Sequence, residues 1–355
     1  DDSGTSCGEV GKTRTCDCPG GGGKGTQTCQ ADGTWGACAG CTDADGGTDG
    51  APPDAGPDAP PADGAGEGLI VDQGPDQALV DQGPPDAYVA KYTWTQIPAP
   101  TGGDLLDIWG SAADDIYIVG TSGMVLHLDD RRASGAGKAW PVAMTSGTSK
   151  ILNGVWGTGE ADVFATGDGG ELIWFDGNSW TSMSSGVSKS LRDAWSASAG
   201  EIYAFGEKGN LVQTSRQQDP TIWSSVSLGA SSDTLLAAWG TSATNIYLVG
   251  TFGTILHYDG TKWTKMTSGT TKHLMGIWGS SAGNIVAVGA SGTILRYDGT
   301  AWKAESSGTT NDLKGVWGAG AGQVFAVGAS GTILIYDGTA WGTMASGTTS
   351  TLHAV

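Results

Sequence analysis

Short apolar segments bounded by glycine, aspartate, asparagine and serine recur along the chain from residue 91 onward. Each is rich in β-branched and aromatic side chains, as in DIYIVG at 115 and TILHYD at 254. Such segments are typical of β-strands joined by tight turns. No stretch of about ten residues in this region carries the 3.6-residue period of a helix. The pattern therefore predicts an all-β region.

Four such segments recur in a fixed order with a period of about 40 residues. A segment like LNGVWG comes first, then one like NIYLVG, then one like TILRYD, and then one that begins with tryptophan. Glycines in VGASGT supply a turn between the second and third segments, and an Asp-Gly pair joins the third to the fourth. Four antiparallel strands per unit, repeated many times, predict the blades of a β-propeller.

The number of blades follows from the tryptophans. Six stand in the first segment of a repeat and seven begin the fourth segment. The extra one, Trp94, precedes the first complete repeat, and TLHAV at 351–355 follows the last as an isolated first segment. We expect a seven-bladed ring that an N-terminal strand closes, with a last blade that lacks about 20 C-terminal residues. Six blades with spare ends are the alternative.

A closed ring explains why the segments repeat. A single four-stranded meander leaves both of its faces unburied, whereas radial stacking lets each sheet cover its neighbour. The repeated tryptophans are therefore expected to fill the spaces between blades.

Composition divides the chain of 355 residues into three parts. Residues 1–42 are expected to form a cysteine-rich module, residues 43–90 a disordered or extended linker rich in Asp, Pro, Gly and Ala, and residues 91–355 the propeller. The net charge is −19, and residues 1–90 alone hold 16 acidic and 3 basic side chains. Such a surface repels phosphate backbones, so nucleic acid is not expected as a partner. No apolar run has the roughly 18 residues of a membrane span.

All six cysteines lie within the first 41 residues, where apolar residues are few. An even number at this density predicts disulfides and a location outside the cytoplasm. Zinc is the competing interpretation, because Cys16/Cys18 and Cys38/Cys41 are close pairs, but four ligands would leave two thiols spare. The predicted disulfide cysteines are Cys7, Cys16, Cys18, Cys29, Cys38 and Cys41.

Two resemblances add to these predictions. CGEVGKTRTC, GTQTC and Trp35 resemble a small extracellular module of the thrombospondin type-1 kind. YDGTKW, YDGTAW and the SGT that follows resemble the repeats of bacterial surface propellers of the kelch and BNR kind, and of uncharacterised repeat lipoproteins. The second resemblance implies a secreted or cell-surface bacterial protein, with an outer-membrane lipoprotein as one form. A resemblance to sialidases of the BNR group further implies an S-x-D-x-G-x-T-W box. This sequence has D-G-T-x-W instead, so its tryptophan follows the aspartate one residue earlier than in that box.

No catalytic set can be assembled from the sequence. His127 and His257 occupy one repeat position that also holds Trp, Gln, Arg and Ile, so we expect that position to be exposed. The aspartates stand mostly where hairpin turns need them. We therefore expect a protein that is not an enzyme and needs no cofactor. Calcium is the one metal candidate, since Asp43, Asp45 and Asp49 have the spacing of a calcium loop, but no glutamate closes that loop at its twelfth position.

Ligand-binding candidates come from positions outside the shared pattern. Trp174 and Tyr117 offer aromatic faces for a sugar. Two irregular segments, 129–141 and 213–222, carry the basic residues Arg131, Arg132 and Arg216. We expect recognition, adhesion or scaffolding with an extracellular protein or glycan as partner. A carbohydrate-binding propeller is the second hypothesis, and a glycan-active enzyme of the BNR kind is the third.

Overall fold

The structure is a computed structural model. It describes residues 13–17, 24–28, 62–65, 68–72, 92–97, 102–129, 141–198, 200–215, 222–228 and 232–355. The chain divides into two compact units, Asp1–Gly56 and Pro57–Val355. The division does not coincide with the boundaries expected from composition, after residues 42 and 90.

The first unit contains a two-stranded antiparallel hairpin. Its strands are β1 (Thr13–Asp17) and β2 (Lys24–Thr28), with Thr13 opposite Thr28. Cys16 lies in β1 with its backbone opposite Gly25. The other five cysteines lie outside the described residues. The disulfide module therefore stays a prediction.

The second unit begins with a three-stranded antiparallel sheet. Its strands, in order, are β3 (Ala62–Ala65), β4 (Gly68–Asp72) and β5 (Trp94–Ile97). Leu69 of β4 stands opposite Ile97 of β5. β3 and β4 lie within residues 43–90, the segment expected to be a disordered or extended linker, and the edge of β5 offers backbone groups that the apolar segment GLIVD pairs.

Six four-stranded antiparallel sheets follow, each with its strands in chain order. Blade 1 has β6 (Leu105–Ala112), β7 (Asp115–Gly120), β8 (Val125–Asp129) and β9 (Val142–Ala143), and blade 2 has β10 (Leu152–Gly159), β11 (Asp162–Gly167), β12 (Leu172–Phe175) and β13 (Trp180–Ser182). Blade 3 has β14 (Leu191–Ser198), β15 (Glu201–Gly206), β16 (Leu211–Ser215) and β17 (Ser224–Ser225), and blade 4 has β18 (Leu235–Ser242), β19 (Asn245–Gly250), β20 (Ile255–Tyr258) and β21 (Trp263–Met266). Blade 5 has β22 (Leu274–Ser281), β23 (Asn284–Gly289), β24 (Thr293–Tyr297) and β25 (Trp302–Glu305), and blade 6 has β26 (Leu313–Gly320), β27 (Gln323–Gly328), β28 (Thr332–Tyr336) and β29 (Trp341–Met344).

The predicted four-stranded blade is confirmed, but the favoured count of seven is wrong. Among the described residues of the second unit there are six four-stranded blades, and the other strands of that unit form the three-stranded sheet β3-β4-β5. Residues 351–355, expected to supply an inner strand, are not assigned to a strand. Repeat counting missed this outcome because β3 and β4 carry no repeat sequence.

Tight turns follow the predicted glycines. The second strand of each blade leads into a short 3-10 turn with two successive residues at positive φ, as at Ser330 (57°) and Gly331 (66°). These turns are Thr121–Gly123, Asp168–Gly170, Glu207–Gly209, Thr251–Gly253, Ala290–Gly292 and Ala329–Gly331. The Asp-Gly hairpins form as predicted. In one of them, the Asp298 carboxylate accepts the N–H groups of Thr300 and Ala301, each at 2.9 Å, and Gly299 adopts a φ of 90°.

The core lies between neighbouring blades. Val119 of blade 1 packs in one cluster with Ile173 and Phe175 of blade 2, and similar clusters join each later pair of blades. Second strands are buried on both faces because they lie in the middle of their sheets; β27 from Val324 to Gly328 is an example. Radial stacking therefore buries what a lone meander would expose.

β5 packs between blades 6 and 1, and the C-terminal residues pack against blade 6. Trp94 meets Phe325 of blade 6 edge-on, with ring centroids 6.0 Å apart. Ile97 packs against the cluster of blade 1 that contains Leu105. Leu352 is fully buried, and its N–H donates to the Gly328 carbonyl at 3.0 Å. Within the described residues, no helix has the length and apolar character to cross a membrane.

Candidate binding channel

The first strands of successive blades lie side by side and surround a central channel. Every first strand begins with a buried leucine, and Leu352 repeats the feature near the C-terminus. The next residue lines a cavity of about 460 Å³ at one end of the channel, here called the mouth cavity. Its identity changes around the ring: Leu106, Asn153, Arg192, Leu236, Met275, Lys314 and His353.

At this position, directly after the leucine, the side chain differs from repeat to repeat. The leucine before it has one structural task, to fill the core, so it is the same in every blade. The position facing the cavity carries six kinds of side chain at seven places. Sequence reasoning missed it by attending to the irregular loops, although the signal is present in the varying residue after each leucine.

A polar network crosses two blades at the mouth cavity. Arg192 of blade 3 forms an ion pair with Glu207 through Nη2 and Oε1 at 2.6 Å. Its Nη1 donates to Asn153 Oδ1 of blade 2 at 3.3 Å, and the Asn153 amide donates to Asp168 Oδ1 at 3.0 Å. On blade 6, Lys314 Nζ lies 3.5 Å from Asp312 Oδ2. The basic groups at the mouth therefore have acidic partners.

Two carboxylates lie deeper, on either side of Gly154. Asp107 of blade 1 accepts the N–H of Val155 of blade 2 through Oδ2 at 2.8 Å, which links the two blades. Asp193 of blade 3 accepts the N–H of Ala194 through Oδ1 at 2.7 Å. A Cβ on Gly154 would lie 2.6 Å from Asp193 Cα and 2.8 Å from its Oδ1. Only glycine fits at this position between the two aspartates.

Both carboxyl groups have raised pKa values. Burial in the channel wall raises the pKa of Asp107 to about 7, against the lowering effect of the Val155 and Ile108 N–H groups. Burial also raises the pKa of Asp193 well above its usual range, and the nearby charge of Asp107 raises it further. Desolvation and like charge therefore act in the same direction on this pair.

Tryptophans line the channel beyond the two aspartates. A second cavity of about 370 Å³, here called the inner cavity, shares Asp107 and Asp193 with the mouth cavity. Six indoles line it, one from the first strand of each blade. These channel tryptophans are Trp109, Trp156, Trp195, Trp239, Trp278 and Trp317. We expected them between blades, and the structure packs them against the inter-blade clusters, where they also line the inner cavity.

An exposed aromatic side chain stands beside the mouth. Phe252 is 65% exposed and adopts a φ of 55°, which is uncommon for a residue other than glycine. Its N–H donates to His273 Nδ1 at 3.0 Å, and the two rings meet edge-on at 5.2 Å. His273 and Thr251 line the mouth cavity. His353 lines it as well, and burial together with the charge of Lys314 lowers its pKa.

The sequence-predicted candidates lie elsewhere. Tyr117 is fully buried between blades 1 and 2, and its hydroxyl donates to the Glu160 carbonyl at 3.0 Å. Its ring therefore has no face open to a sugar. Trp174 is partly buried in β12, and its Nε1 donates to Asp162 Oδ1 at 2.7 Å. The two are not neighbours of the channel cavities.

The remaining candidates fall outside the described residues. These are Arg131, Arg132 and Arg216 in the irregular loops, and Asp43, Asp45 and Asp49 in the calcium candidate. Among the side chains that the structure does describe, no group of three or more His, Cys, Asp or Glu is placed to hold a metal ion.

The expectation that His127 and His257 are exposed is wrong. His127 is 13% exposed, stacks on Tyr117 at 4.1 Å, and contacts Asp115 Oδ1 through Nε2 at 2.7 Å. His257 stacks on Tyr247 at 4.4 Å and contacts Asn245 Oδ1 at 2.7 Å. In four blades this third-strand residue makes a polar contact with the residue that opens the second strand, and the pair differs from blade to blade: His127 with Asp115, Trp174 with Asp162, His257 with Asn245 and Arg296 with Asn284.

Comparison with known proteins supports the fold. No family model matches the chain, and no curated protein matches it. Among solved structures it is similar to YCF48 bound to a D1 peptide, with 16% identity over 69% of this chain and 82% of that one and a TM-score of 0.54. It is also similar to the WD40 β-propeller domain of Doa1, with 13% identity over 69% and 84% and a TM-score of 0.57. At these identities the likeness shows a β-propeller and nothing finer. The kelch and BNR type stays a prediction.

Proposed function

We propose that this protein is a non-catalytic recognition and scaffolding protein whose propeller binds a peptide segment of a partner at the mouth cavity. One observation carries the proposal. A single position, repeated around the ring, holds Leu, Asn, Arg, Met, Lys and His, while the leucine before it never changes. Scaffold positions repeat because their task repeats, so the variable position is where a ligand would be distinguished.

The character of the mouth supports a peptide as the ligand. Met275 and Leu236 offer apolar contact, Lys314 and Asn153 offer polar contact, and Phe252 stands exposed at the edge. A cavity of about 460 Å³ is in the range of ligand-binding sites. YCF48, a propeller of similar fold, is known in a complex with a D1 peptide.

We further propose that the protein acts outside the cytoplasm, as an adhesion or surface scaffold protein. The support comes from the sequence, since all six cysteines fall in one short N-terminal segment that is poor in apolar residues.

Peptide selection tests the proposal. The 355-residue chain would be used to pan a random peptide library, and binding of the selected peptides would be measured by calorimetry. We expect peptides whose binding weakens about tenfold or more in Lys314→Ala and Met275→Ala. Val142→Ser is the matched control, since Val142 is 67% exposed on the outer strand β9, and it should bind as the parent does. Failure to select any peptide would overturn the proposal, and so would peptide affinities that are unchanged by both mouth substitutions.

A further inference from the structure

The channel places two carboxylates beside a wall of indoles and leaves both without a cationic partner among the described residues. We propose that the channel binds an organic cation, a guanidinium or alkylammonium group, held by Asp107 and Asp193 and surrounded by the channel tryptophans. The inference rests on the proposed function in one respect, that an arginine or lysine side chain of the bound segment carries the cation.

The path into the site is continuous. The mouth cavity and the inner cavity share Asp107, Asp193, Val316 and Val355 in their walls. A side chain that enters from the mouth therefore reaches the aspartates first and the indoles beyond them. The long, unbranched stems of arginine and lysine suit such an entry, because their methylene groups pack against apolar walls while the charge lies at the tip.

The charges favour a cation over an anion or a neutral group. Each aspartate has one oxygen bound to a backbone N–H, Asp107 to Val155 and Asp193 to Ala194. The basic side chains nearest in sequence and around the mouth are already paired, Arg192 with Glu207 and Lys314 with Asp312. A cation between the two carboxyl groups would favour their ionised forms, which burial and like charge disfavour.

The carboxyl pKa values agree with this geometry. Both are raised by burial, and no nearby positive charge opposes the effect. A bound guanidinium would lower the pKa of a buried carboxyl group, because the positive charge stabilises the ionised form.

The indoles supply the second half of the site. Tryptophan has the most favourable aromatic face for a cation, and the attraction grows when water is excluded. Trp239 and Trp278 are partly exposed on the channel, whereas Trp195 is 4% exposed and packs more deeply. The inner cavity of about 370 Å³ is large enough for a side-chain tip without its neighbours having to move.

The first arm of the test uses a matched pair of small probes on the 355-residue chain. N-acetyl-L-argininamide carries the guanidinium, and N-acetyl-L-citrullinamide is its neutral isostere. We expect the arginine probe to quench tryptophan fluorescence and to bind at least about tenfold more tightly than the citrulline probe. Equal binding of the two probes, or no binding of the arginine probe, would overturn the inference.

The second arm changes the protein. Asp107→Asn and Asp193→Asn each keep an oxygen that accepts the backbone N–H. Each should weaken binding of the arginine probe about tenfold. Asp259→Asn is the control for net charge, because Asp259 caps an exposed turn through Thr261 and Lys262. An equal effect of all three substitutions on binding of the arginine probe would indicate a long-range charge effect and would refute the proposed site.

The third arm separates this inference from the proposed function. In the peptides selected at the mouth, each arginine is replaced by citrulline and each lysine by norleucine. Loss of binding on replacing one basic residue supports a peptide side chain as the source of the cation. Peptides that need Lys314 and Met275 yet tolerate every replacement would leave the proposed function standing and refute the inference. Binding of the arginine probe without any selected peptide would refute the peptide source and indicate a free small molecule.

Discussion

The indole of Trp109 in blade 1 lies directly over Gly157 in blade 2, so closely that a Cβ on Gly157 would stand 2.5 Å from the indole Cζ3. The relation recurs between Trp239 and Gly279, where the corresponding separation from Cη2 is 2.7 Å. The repeated Trp-Gly pair therefore has a reason that spans two repeats. Gly157, Gly240, Gly279 and Gly318 each make room for the tryptophan of the preceding blade. Blade 3 has Ser196 at the glycine position, so Trp156 is accommodated differently there.

Gly157→Ala should destabilise the propeller. The new methyl group would collide with the Trp109 indole, and overpacking of this kind costs about 1–3 kcal/mol in the free energy of unfolding. Chemical denaturation of the two proteins measures the difference. Gly159→Ala is the matched control two residues along the same strand, since a Cβ there has no neighbour within 4 Å. Equal stability of the two alanine variants would contradict the assigned contact.

Leu352→Ala should show that the C-terminal segment belongs to the folded ring. Leu352 is fully buried in the cluster that contains Phe325 and Ile333 of blade 6. Truncation of a buried leucine costs about 2–5 kcal/mol because it removes apolar contact and leaves a cavity. Ile222→Ala, at a side chain that is 64% exposed, should change the unfolding free energy by less than about 0.5 kcal/mol. A Leu352→Ala variant as stable as this control would mean that the segment is not packed as described.

Tyr92→Phe should weaken the link between the N-terminal segment and blade 6. The Gln323 amide donates to the Tyr92 hydroxyl at 2.7 Å, and the Tyr92 ring meets Phe325 edge-on at 5.6 Å. Phenylalanine keeps the ring contact and removes the hydrogen bond, at a cost of about 1 kcal/mol. Tyr336→Phe serves for comparison, because its hydroxyl bonds to Gly338 within an exposed turn and competes with water. If the two substitutions have the same small effect on the free energy of unfolding, the hydrogen bond from Gln323 does not stabilise closure of the ring.

Asp107→Asn should change how stability depends on pH. Burial raises the pKa of this carboxyl from its ordinary 3.8 to about 7 in the folded chain, so folding favours the protonated form. The contribution of Asp107 to stability is therefore fully present below about pH 4 and is lost as the pH rises through about 7. Asparagine cannot ionise. Relative to the parent, the variant should gain stability between about pH 5 and about pH 8, measured by urea denaturation at each pH.

Asp259→Asn supplies the contrast. Bonds from the Thr261 hydroxyl and from the Lys262 and Thr261 N–H groups lower the pKa of Asp259 to about 2. Its contribution is present above about pH 4 and is lost only as the pH falls toward about 2. The stability difference between this variant and the parent should therefore stay constant from about pH 5 to about pH 8. A constant difference for Asp107→Asn as well would contradict the buried carboxyl.

Much of the fold could be predicted because a propeller blade is a local object. Its strands follow one another in sequence, and the Asp298-Gly299 and Ser330-Gly331 turns are written in adjacent residues. The final count of blades could not be predicted in the same way. β4 pairs with β5 across more than twenty intervening residues, and nothing in its sequence resembles a repeat.

The candidate site was harder to find than the fold. The varying residue after each repeated leucine is visible in the sequence, but only the ring shows that Arg192, Lys314 and His353 face one cavity. Tyr117, proposed from the sequence as a ligand-binding residue, shows how a repeat position can be misjudged when its neighbours are unknown. It was expected to lie outside the shared pattern, yet it holds the same place opposite the first-strand tryptophan as Tyr203 and Tyr247, and it packs against His127 and Phe175.

The sequence by itself determined the strands, their order within a blade and the need for blades to stack, because these depend on local turn chemistry and on apolar faces that must be covered. Only the tertiary structure decided which side chains line the channel together, since residues such as Asp107 and Asp193 stand 86 positions apart in the chain. It also decided that burial raises the pKa of both carboxyl groups and that the charge of Asp107 raises that of Asp193 further. Distance and burial set the free energy of a charge, and neither is written in the order of residues.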